Sequence, residues 1–318
     1  MPDAVVAPPA RSATAARSSL CALRSPGERI SVAVDSLGAR IASIVHVASG
    51  REFLLRTPWA DEELAHATAS ADSSFEWHRR YAGGWHTLIP HAGDAVRIDG
   101  VEHPFHGEAA WRRWRVVEQS AAELRVEVSL RTAPLLLSRR IRVTDDGVRV
   151  LQRVRNTSRE PVAFSWTEHP ALSETVIGPR ARMSLDGAPV DVAFPHADAS
   201  GSAFAELPVP GRGDVAIRNP DTGAAVRLRW DAAALPFLYV WQEHRTPGFP
   251  WWGAVDTIGI EPASRPYDGA EDELGPLVVE GSGELSLEFA LDVEVDVDVG
   301  AQDDVEAGTE AEVAEPPR

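Results

Sequence analysis

Residues 124–154 read LRVEVSLRTAPLLLSRRIRVTDDGVRVLQRV, and three segments of this stretch have the pattern of β-strands. Apolar and polar residues alternate within 124–130, 138–143 and 148–154. A period of two places one face of a strand against a core and the other toward solvent. The turn at 145–147 reads Asp-Asp-Gly, and an Asp-Gly pair between two alternating segments is a strong hairpin signal. The stretch therefore predicts antiparallel strands joined by tight turns.

The same pattern continues on both sides of this stretch. Residues 29–35 and 39–47 read as a hairpin with a Ser-Leu-Gly turn, and 283–293 reads as a last alternating strand. Turns recur at intervals of about 8–12 residues, and no segment shows the period of a long amphipathic helix, which is typical of a sandwich or a barrel. The sequence predicts an all-β, mostly antiparallel fold in a single domain.

The two ends of the chain differ from this body in composition. Residues 1–23 are rich in Ala, Ser, Pro and Arg without periodicity, which predicts a disordered leader. Residues 292–318 hold ten acidic side chains against one arginine, so 293–318 reads as an acidic disordered tail. The β domain is expected to span 24–292.

Charge and cysteine content indicate the compartment and the partners. The chain of 318 residues has a formal net charge of −17, which repels phosphate backbones and anionic lipid, so we expect neither nucleic acid nor membrane as a partner. Cys21 is the single cysteine and cannot form an internal disulfide. The first residues lack the plan of a signal peptide. These features predict a cytoplasmic protein, and they leave the oligomeric state undecided.

Titratable side chains concentrate in three segments that are far apart in sequence. Residues 81–108 contain four of the ten histidines, and the other two segments read Glu168-His169-Pro170 and Glu261-Pro262. A proline after the key residue fixes φ and stiffens the backbone behind it. Two histidines and a glutamate in one cleft can carry out paired proton transfers near neutral pH. The alternative is that His169 and Glu261 form a satisfied buried pair in the core.

A metal site is a competing interpretation of the first segment. His103, His106 and Glu108 resemble a loose ligand set, and jelly-roll enzymes bind metals through such side chains. Their spacing differs from that of the common jelly-roll metal motif. The chain contains no G-x-S-x-G, P-loop or G-x-G-x-x-G motif, so a serine hydrolase and a nucleotide-binding enzyme are not supported.

Tryptophans flank these segments and suggest a class of ligand. A sugar ring has an apolar C–H face that stacks on indole, although most tryptophans in a protein belong to its core. Trp251 and Trp252, in a loop with Gly and Pro, are the pair expected to be exposed. A phosphorylated sugar would need a cluster of arginines, which the following residues could form: Arg79, Arg80, Arg112 and Arg113.

Four motifs, in this order, resemble the aldose 1-epimerase (galactose mutarotase-like) superfamily. They are LGARIASIVHVASGREFLL at 37–55, GGWHTLIPHAGD at 83–94 followed by HGE at 106–108, RVRNTSREPVAFSWTEHPALSE at 153–174, and GIEPAS at 259–264. The similarity extends over about residues 28–292. The chain differs from the well-known mutarotases at 90–94, where Pro-His-Ala-Gly-Asp replaces a segment with an Asn-Arg pair.

The resemblance implies a β-supersandwich and an enzyme that interconverts the anomers of an aldose or related sugar without a cofactor or metal. Glu261 matches the base that takes the proton of the anomeric hydroxyl, His169 matches the acid that protonates the ring oxygen, and His106 matches a second histidine that polarises this oxygen. Alternatives are a carbohydrate-binding protein of the same fold without turnover, and a metal-dependent jelly-roll enzyme acting on a sugar. The residues expected to bind the substrate are Trp85, His86, His91, Gln242, Glu243 and Trp251.

Overall fold

The computed structural model describes residues 20–62, 71–192, 200–267 and 273–296, which form an all-β structure. One α-helix, α1 (Ser73–Arg80), and one 3-10 helix (Glu108–Trp111) accompany the strands in these residues. The first eight strands are β1 (Leu20–Arg24), β2 (Ile30–Asp35), β3 (Arg40–His46), β4 (Arg51–Glu52), β5 (Trp85–Leu88), β6 (Val96–Ile98), β7 (Val101–His103) and β8 (Arg115–Gln119). The next seven are β9 (Glu123–Ser129), β10 (Leu135–Thr144), β11 (Gly147–Asn156), β12 (Val162–Phe164), β13 (Thr167–Leu172), β14 (Arg182–Leu185) and β15 (Ala188–Val190). The last seven are β16 (Gly201–Pro208), β17 (Asp214–Asn219), β18 (Ala224–Arg229), β19 (Phe237–His244), β20 (Asp256–Ala263), β21 (Leu277–Val279) and β22 (Glu284–Val295).

Two nine-stranded antiparallel sheets make up most of the fold. Sheet one has the strand order β1-β2-β3-β5-β13-β20-β19-β16, with β4 paired to β3. Sheet two has the order β15-β14-β17-β18-β22-β11-β10-β9-β8. The hairpin predicted at 145–147 is present, since β10 and β11 pair through to Thr144 and Gly147. The predicted all-β, mostly antiparallel sandwich is confirmed.

The inner faces of both sheets enclose the main hydrophobic core. Ile41 and Val240 of sheet one and Val150 and Phe289 of sheet two belong to one buried cluster and are at most 1% exposed. Each such aliphatic or aromatic side chain contributes about 1.5–3 kcal/mol by leaving water. The rings of Trp85 and Phe289 meet edge to face across the sandwich, with centroids 6.5 Å apart. The alternation of apolar and polar residues thus places one face of each strand in the core between the two sheets.

A second, smaller apolar cluster covers the outer face of sheet one. Helix α1 contributes to it and is capped by Asp72, whose carboxylate accepts a hydrogen bond from the N–H of Phe75 at 3.0 Å. Tyr81 follows the last helical residue and has an extended backbone. Its Trp77 packs in the cluster with Tyr81, Leu88 and Trp251. The helix therefore holds aromatic side chains over the sheet, outside the main core.

The ends of the domain differ slightly from the prediction. Strand β1 begins at Leu20, so residues 20–23 pair with β2 and the boundary after residue 23 was wrong. Strand β22 continues to Val295, three residues beyond the predicted end, because its alternation persists to Val293 and Val295. The remaining parts of the predicted leader and tail, residues 1–19 and 297–318, lie outside the described residues.

The described residues include no helix that is long and apolar enough to cross a membrane. The cytoplasmic location expected from the sequence stays a prediction.

Candidate active site

Four neighbouring strands of sheet one place a row of polar side chains on its outer face. His169 in β13 lies opposite His86 in β5, and Glu261 in β20 lies opposite Tyr239 in β19. The register of β13 and β20 puts His169 beside Glu261, because the pairs on either side are Thr167–Ala263 and Ala171–Gly259. Residues separated by 92 positions in sequence are thus brought into contact by the sheet.

Both prolines next to these residues lie inside central strands. Pro170 follows His169 in β13 and Pro262 follows Glu261 in β20, and both strands continue past these prolines. Proline cannot donate to the ladder, so it is rare in a central strand. The β13–β20 pairing is accordingly interrupted between Thr167 and Ala171, on both sides of Pro170. The interruption lies where His169 and Glu261 project from the sheet.

The imidazole of His169 and the carboxyl of Glu261 form a buried pair. Nε2 of His169 lies 3.4 Å from Oε1 of Glu261, and both side chains are 7% exposed. Burial raises the pKa of Glu261 from its usual 4.5 to about 8. Burial also lowers the pKa of His169 from 6.5 to about 4. Low dielectric disfavours the charged form of each group, which gives these two opposite directions.

These pKa directions determine how many protons the pair holds. Between about pH 4 and about pH 8, Glu261 keeps its proton and His169 is neutral, so the pair carries one titratable proton. A carboxylate beside an imidazolium contains the same number of protons. The two forms therefore interconvert by moving one proton between adjacent atoms, without exchange with solvent. Pairs of titratable groups with displaced pKa values are typical of acid–base sites.

Gly259 leaves the space that the Glu261 carboxyl occupies. It lies two positions before Glu261 on the same face of β20, and a Cβ atom there would come within 2.5 Å of Oε1 of Glu261. The same Cβ would lie 3.3 Å from the ring of Trp241. A glycine at this point therefore allows the carboxyl and the indole to approach the sheet closely.

The loop with the predicted His-Gly step brings His106 to the same site. Nδ1 of His106 accepts a hydrogen bond from the N–H of Gly93 at 3.0 Å, so the ring proton lies on Nε2. Burial is the main reason that the pKa of His106 is well below its usual value, with His169 the next contributor. Its ring centroid lies 5.8 Å from that of His169. His106 is thus a neutral hydrogen-bond donor next to the acid–base pair.

The glycine of this step is required by packing. Gly107 has φ +73°, and a Cβ there would come within 2.6 Å of the carbonyl oxygens of Ile89 and His91. Only glycine adopts this conformation at such close approach without strain. The His-Gly step therefore joins the loop tightly to the end of β5.

A pocket of about 220 Å³ opens above the pair. Phe204 and Tyr267 also line it and are half exposed to solvent. Its walls are aromatic and consist of Trp77, Tyr81, Phe105, Trp241 and Trp251. Its polar lining consists of His78, His106, His169, Ser202 and Glu261. Among the described residues no arginine lines this pocket, and Glu261 is its one carboxyl group.

A fully buried ion pair fixes β13 from the other side of the sheet. Glu168 accepts two hydrogen bonds from Arg139, both at 3.0 Å, and one each from the indoles of Trp85 at 2.6 Å and Trp166 at 2.9 Å. Arg139 and Glu168 are both 0% exposed. Adjacent residues of a strand point to opposite faces. The network therefore anchors Glu168 in the core and directs His169 into the pocket.

Three residues expected to bind the substrate lie away from the pocket. Trp85 is buried in the core because it is on the inner face of β5. Gln242 is also on the inner face of its strand, where its side-chain oxygen contacts His244 at 3.2 Å. His91 is fully buried and holds the loop together through the carbonyl oxygen of Pro104 at 2.9 Å. The prediction of substrate contact is therefore wrong for Trp85, Gln242 and His91.

His86 and Glu243 are close to the pocket but do not line it. His86 lines a separate cavity of about 390 Å³ behind Trp77 and Tyr81. Glu243 is on the outer face of β19 with Trp241, and its carboxyl accepts a hydrogen bond from the N–H of Thr246 at 3.1 Å. Trp251, in contrast, forms part of the pocket wall. Of the six expected binding residues, Trp251 alone lies in the pocket.

The alternative metal ligands do not converge. His103 packs its ring against His91, and Glu108 pairs with Arg112 and accepts hydrogen bonds from backbone N–H groups. His106 lies in the pocket. No group of three or more His, Cys, Asp or Glu residues in the described ranges could hold a metal ion. The metal-dependent interpretation of these three residues is therefore wrong.

The possible phosphate-binding arginines also lie elsewhere. Arg79 and Arg80 both pair with Glu76 within α1, each at 2.7 Å. Arg112 pairs with Glu108 at 2.6 Å. None of the four candidates lines the pocket: Arg79, Arg80, Arg112 and Arg113.

Several pocket residues were not expected from the sequence. Trp77, His78 and Tyr81 come from α1 and its end, and a helix of eight residues gives little periodic signal. The sequence did contain a signal for two residues, because residues two positions apart in a strand lie on the same face. Gly259 lies two positions before Glu261 in β20, and Trp241 lies two positions after Tyr239 in β19. Phe204 and Tyr267 join the pocket through long-range packing, which no local pattern indicates.

Comparisons with solved structures identify the fold. A protein from Synechocystis sp. PCC 6803 superposes with a TM-score of 0.69 at 15% identity, covering 93% of this chain and 100% of that one. A galactose mutarotase related enzyme from Lactobacillus acidophilus gives 0.62 at 17% identity, covering 88% and 98%. A GalM/aldose epimerase homologue from C. elegans gives 0.59 at 10% identity, covering 87% and 98%. No family model and no curated protein matches the sequence. The chain has the galactose mutarotase-like fold, as the resemblance implied.

Proposed function

We propose that this protein interconverts the anomers of a neutral aldose by acid–base opening and closure of the sugar ring. One observation carries the proposal: Nε2 of His169 and Oε1 of Glu261 lie 3.4 Å apart in an aromatic pocket. Burial raises the pKa of Glu261 and lowers the pKa of His169, which suits the exchange of a proton between them. The two oxygens that exchange protons in this reaction, the anomeric hydroxyl and the ring oxygen, are bonded to the same carbon. An acid and a base that are in contact match this geometry.

In the reaction, Glu261 in its carboxylate form takes the proton of the anomeric hydroxyl. His169 as imidazolium gives a proton to the ring oxygen, and the bond between the ring oxygen and C1 breaks to leave an open-chain aldehyde. Rotation about the C1–C2 bond and reversal of both proton transfers yield the other anomer. The reactive protonation state forms when the shared proton moves from Glu261 to His169. His106, with a proton on Nε2, donates a hydrogen bond to the ring oxygen.

The lining of the pocket supports a neutral sugar. Aromatic walls suit the C–H face of a pyranose, and the histidines and Ser202 provide hydrogen-bonding groups for its hydroxyls. A phosphate would need cationic partners, and the described lining contains no arginine. The neutral sugar is the one partner proposed for this site.

The test is a polarimetric measurement of mutarotation with a panel of free aldoses. We expect the wild-type protein to accelerate anomer exchange for at least one aldose, and His169→Asn to reduce this acceleration by about 10²–10⁴-fold, the usual contribution of a general acid or base. Phe164→Leu, a conservative change in the main core, serves as a matched control for handling and folding. An unchanged rate in His169→Asn would contradict the assignment.

A carbohydrate-binding protein without turnover is the second candidate. The observation that favours it is the resting state of the pair, because a protonated Glu261 can bind hydroxyls but cannot accept their protons. Isothermal titration with the same aldoses separates the two functions. Binding of a sugar without any acceleration of its mutarotation would support this second candidate.

A further inference from the structure

The outer face of sheet two, turned away from the core, has a cavity of about 520 Å³. It shares no lining residue with the pocket above His169 and Glu261. The charged side chains that line it are Glu123, Arg140, Arg142, Arg149, Arg229 and Glu288. Four arginines and two glutamates give this lining a formal charge of +2, whereas the whole chain has −17. The cavity is therefore a locally cationic region of an acidic protein, and its charge favours anions.

The strand register places three of these arginines in one row across the sheet. Arg142 in β10 lies opposite Arg149 in β11. Ala290 in β22 continues the row, between Arg149 on one side and Arg229 in β18 on the other. Like charges directly opposite each other in a sheet are destabilising. An anion that lies between Arg142 and Arg149 removes this repulsion.

Arg142 has no hydrogen-bond or ion-pair partner among the residues that the structure describes. Its neighbour on the other side of the row is Glu123, but Oε1 of Glu123 pairs with Nε of Arg140 at 3.2 Å. Arg142 is also exposed, so its N–H donors are available to a ligand. An unpaired guanidinium beside a second one can bind the oxygens of a carboxylate or a phosphate.

Asp292 holds the other two arginines of the row at the edge of the cavity. Oδ1 of Asp292 lies 2.7 Å from Nη2 of Arg149, and Oδ2 accepts a hydrogen bond from Nη2 of Arg229. The two arginine side chains remain 36% and 43% exposed. One carboxylate cannot neutralise two guanidinium groups, so a positive charge remains here. The contacts with Asp292 fix the position of this charge before a ligand binds, which lowers the entropic cost of binding.

The floor of the cavity between these arginines is apolar. Leu151 and Ala290 lie on the outer faces of their strands and are half-buried, and Trp230 is 5% exposed. Ala290 is the smallest residue of the row, so the space above β22 stays open between the longer side chains. An inorganic anion would leave this apolar surface in contact with water, whereas a ligand with an apolar body covers it.

We infer that this cavity is a second ligand site, which binds a small amphipathic anion. A carboxylate or phosphate group of this ligand lies between Arg142 and Arg149, and its apolar body rests on Leu151 and Ala290. Glu288 lies opposite Leu151 and has no partner among the described residues, so its negative charge opposes a second anionic group on the ligand. The ligand therefore has one anionic end. This site is independent of the proposed function.

The experiment is isothermal titration of the full chain with two amphipathic probes, hexanoate and phenyl phosphate. Acetate and inorganic phosphate provide each anionic group alone, and hexanol and phenol provide each apolar body alone. We expect at least one amphipathic probe to bind with a Kd about tenfold or more below those of its two halves, and the tighter probe identifies the anionic group. Its affinity should fall as the concentration of NaCl rises, because salt screens exposed charges.

Three variants place the probe in the cavity. Arg142→Gln removes the unpaired guanidinium, so it should weaken the tighter probe by about tenfold or more, the usual effect of losing a hydrogen bond to a charged group. Glu288→Gln should tighten the same probe, because it removes the opposing charge. Arg155→Gln is the matched control, since Arg155 is exposed on the same face of β11, has no partner among the described residues and does not line the cavity.

Melting temperatures show whether the variants are folded. Arg142→Gln should melt no lower than the wild type, because it removes one of two opposed like charges. If it does melt lower, Glu288→Gln decides, and a gain in affinity supports the site whereas no gain refutes it. The inference is also overturned if neither amphipathic probe binds, if an anionic group alone binds as tightly as the whole probe, or if Arg142→Gln and Arg155→Gln have the same effect on affinity.

Discussion

Glu261→Gln should change the pH dependence of the free energy of unfolding. Burial raises the pKa of Glu261 from 4.5 to about 8, so between these values the folded protein keeps a proton that the unfolded chain has released. Stability contributed by this group therefore falls as pH rises through the window and stops falling above about pH 8. Glutamine has nearly the same shape but does not titrate, so the variant lacks this loss.

Titration of the neighbouring His169 restricts the pH range in which Glu261 can be studied through the free energy of unfolding. The pKa of His169 is lowered from 6.5 to about 4, so it contributes the opposite slope between these values and none above pH 6.5. From pH 6.5 to about 8, Glu261 is the only one of these two residues that makes the free energy of unfolding depend on pH. A full proton difference corresponds to about 1.4 kcal/mol per pH unit. The wild type should therefore lose about 2 kcal/mol relative to Glu261→Gln across this window.

The assay is urea unfolding at a series of pH values within this window, followed by the fluorescence of the ten tryptophans. Glu118→Gln, at an exposed carboxylate on β8 that pairs with Arg125, is the matched control and should follow the wild type, because Glu118 is ionised throughout this pH range. Parallel pH profiles for the wild type and Glu261→Gln would refute the argument, because Glu261 would then have the same pKa in the folded and unfolded states.

Three further predictions concern the position of the pair, its support and its titration. Gly259→Ala should leave the melting temperature nearly unchanged but lower kcat/KM by about 10²-fold, because the added Cβ displaces the Glu261 carboxyl. Full activity in this variant would contradict the role of Gly259 in leaving space for that carboxyl. Arg139→Met should lower the free energy of unfolding in urea by about 3–5 kcal/mol, because it leaves Glu168 buried without its ion-pair partner. The double variant with Glu168→Gln should recover part of this free energy. A change below about 1 kcal/mol in Arg139→Met would contradict the buried ion pair. Polarimetric rates should give a kcat/KM that is flat between about pH 4 and about pH 8 and lower on both sides, since the pair must hold one proton; a limb within this range would contradict the shared proton.

The sequence predicted the strands well where the alternation was regular. Strands β9, β10 and β11 lie within 123–156 with the predicted hairpin, because a period of two and an Asp-Gly turn are local signals. It also predicted the meeting of His169 and Glu261, since the resemblance to a known family supplied long-range information that the local pattern lacks. The rest of the pocket depended on contacts between distant segments.

The alternation of strand faces explains two of the errors in the site, Trp85 and Gln242. Neighbouring residues of a strand point to opposite faces, so Trp85 and His86 could not both enter the pocket, and neither could Gln242 and Glu243. The sequence shows that faces alternate but does not show which face is the core. In β13 the inner face carries Glu168, whose buried carboxylate is paired with Arg139, a partner that is distant in sequence and that no local pattern indicates.

The most direct test of the central claim is the mutarotation rate of Glu261→Gln, measured by polarimetry on an aldose that the wild-type protein converts and binds in calorimetry. The claim is that the pair formed by His169 and Glu261 moves protons at the anomeric centre. The account predicts that Glu261→Gln binds this aldose with similar affinity and that its kcat is lower by about 10²–10⁴-fold. A kcat equal to that of the wild type, with binding retained, would contradict the account.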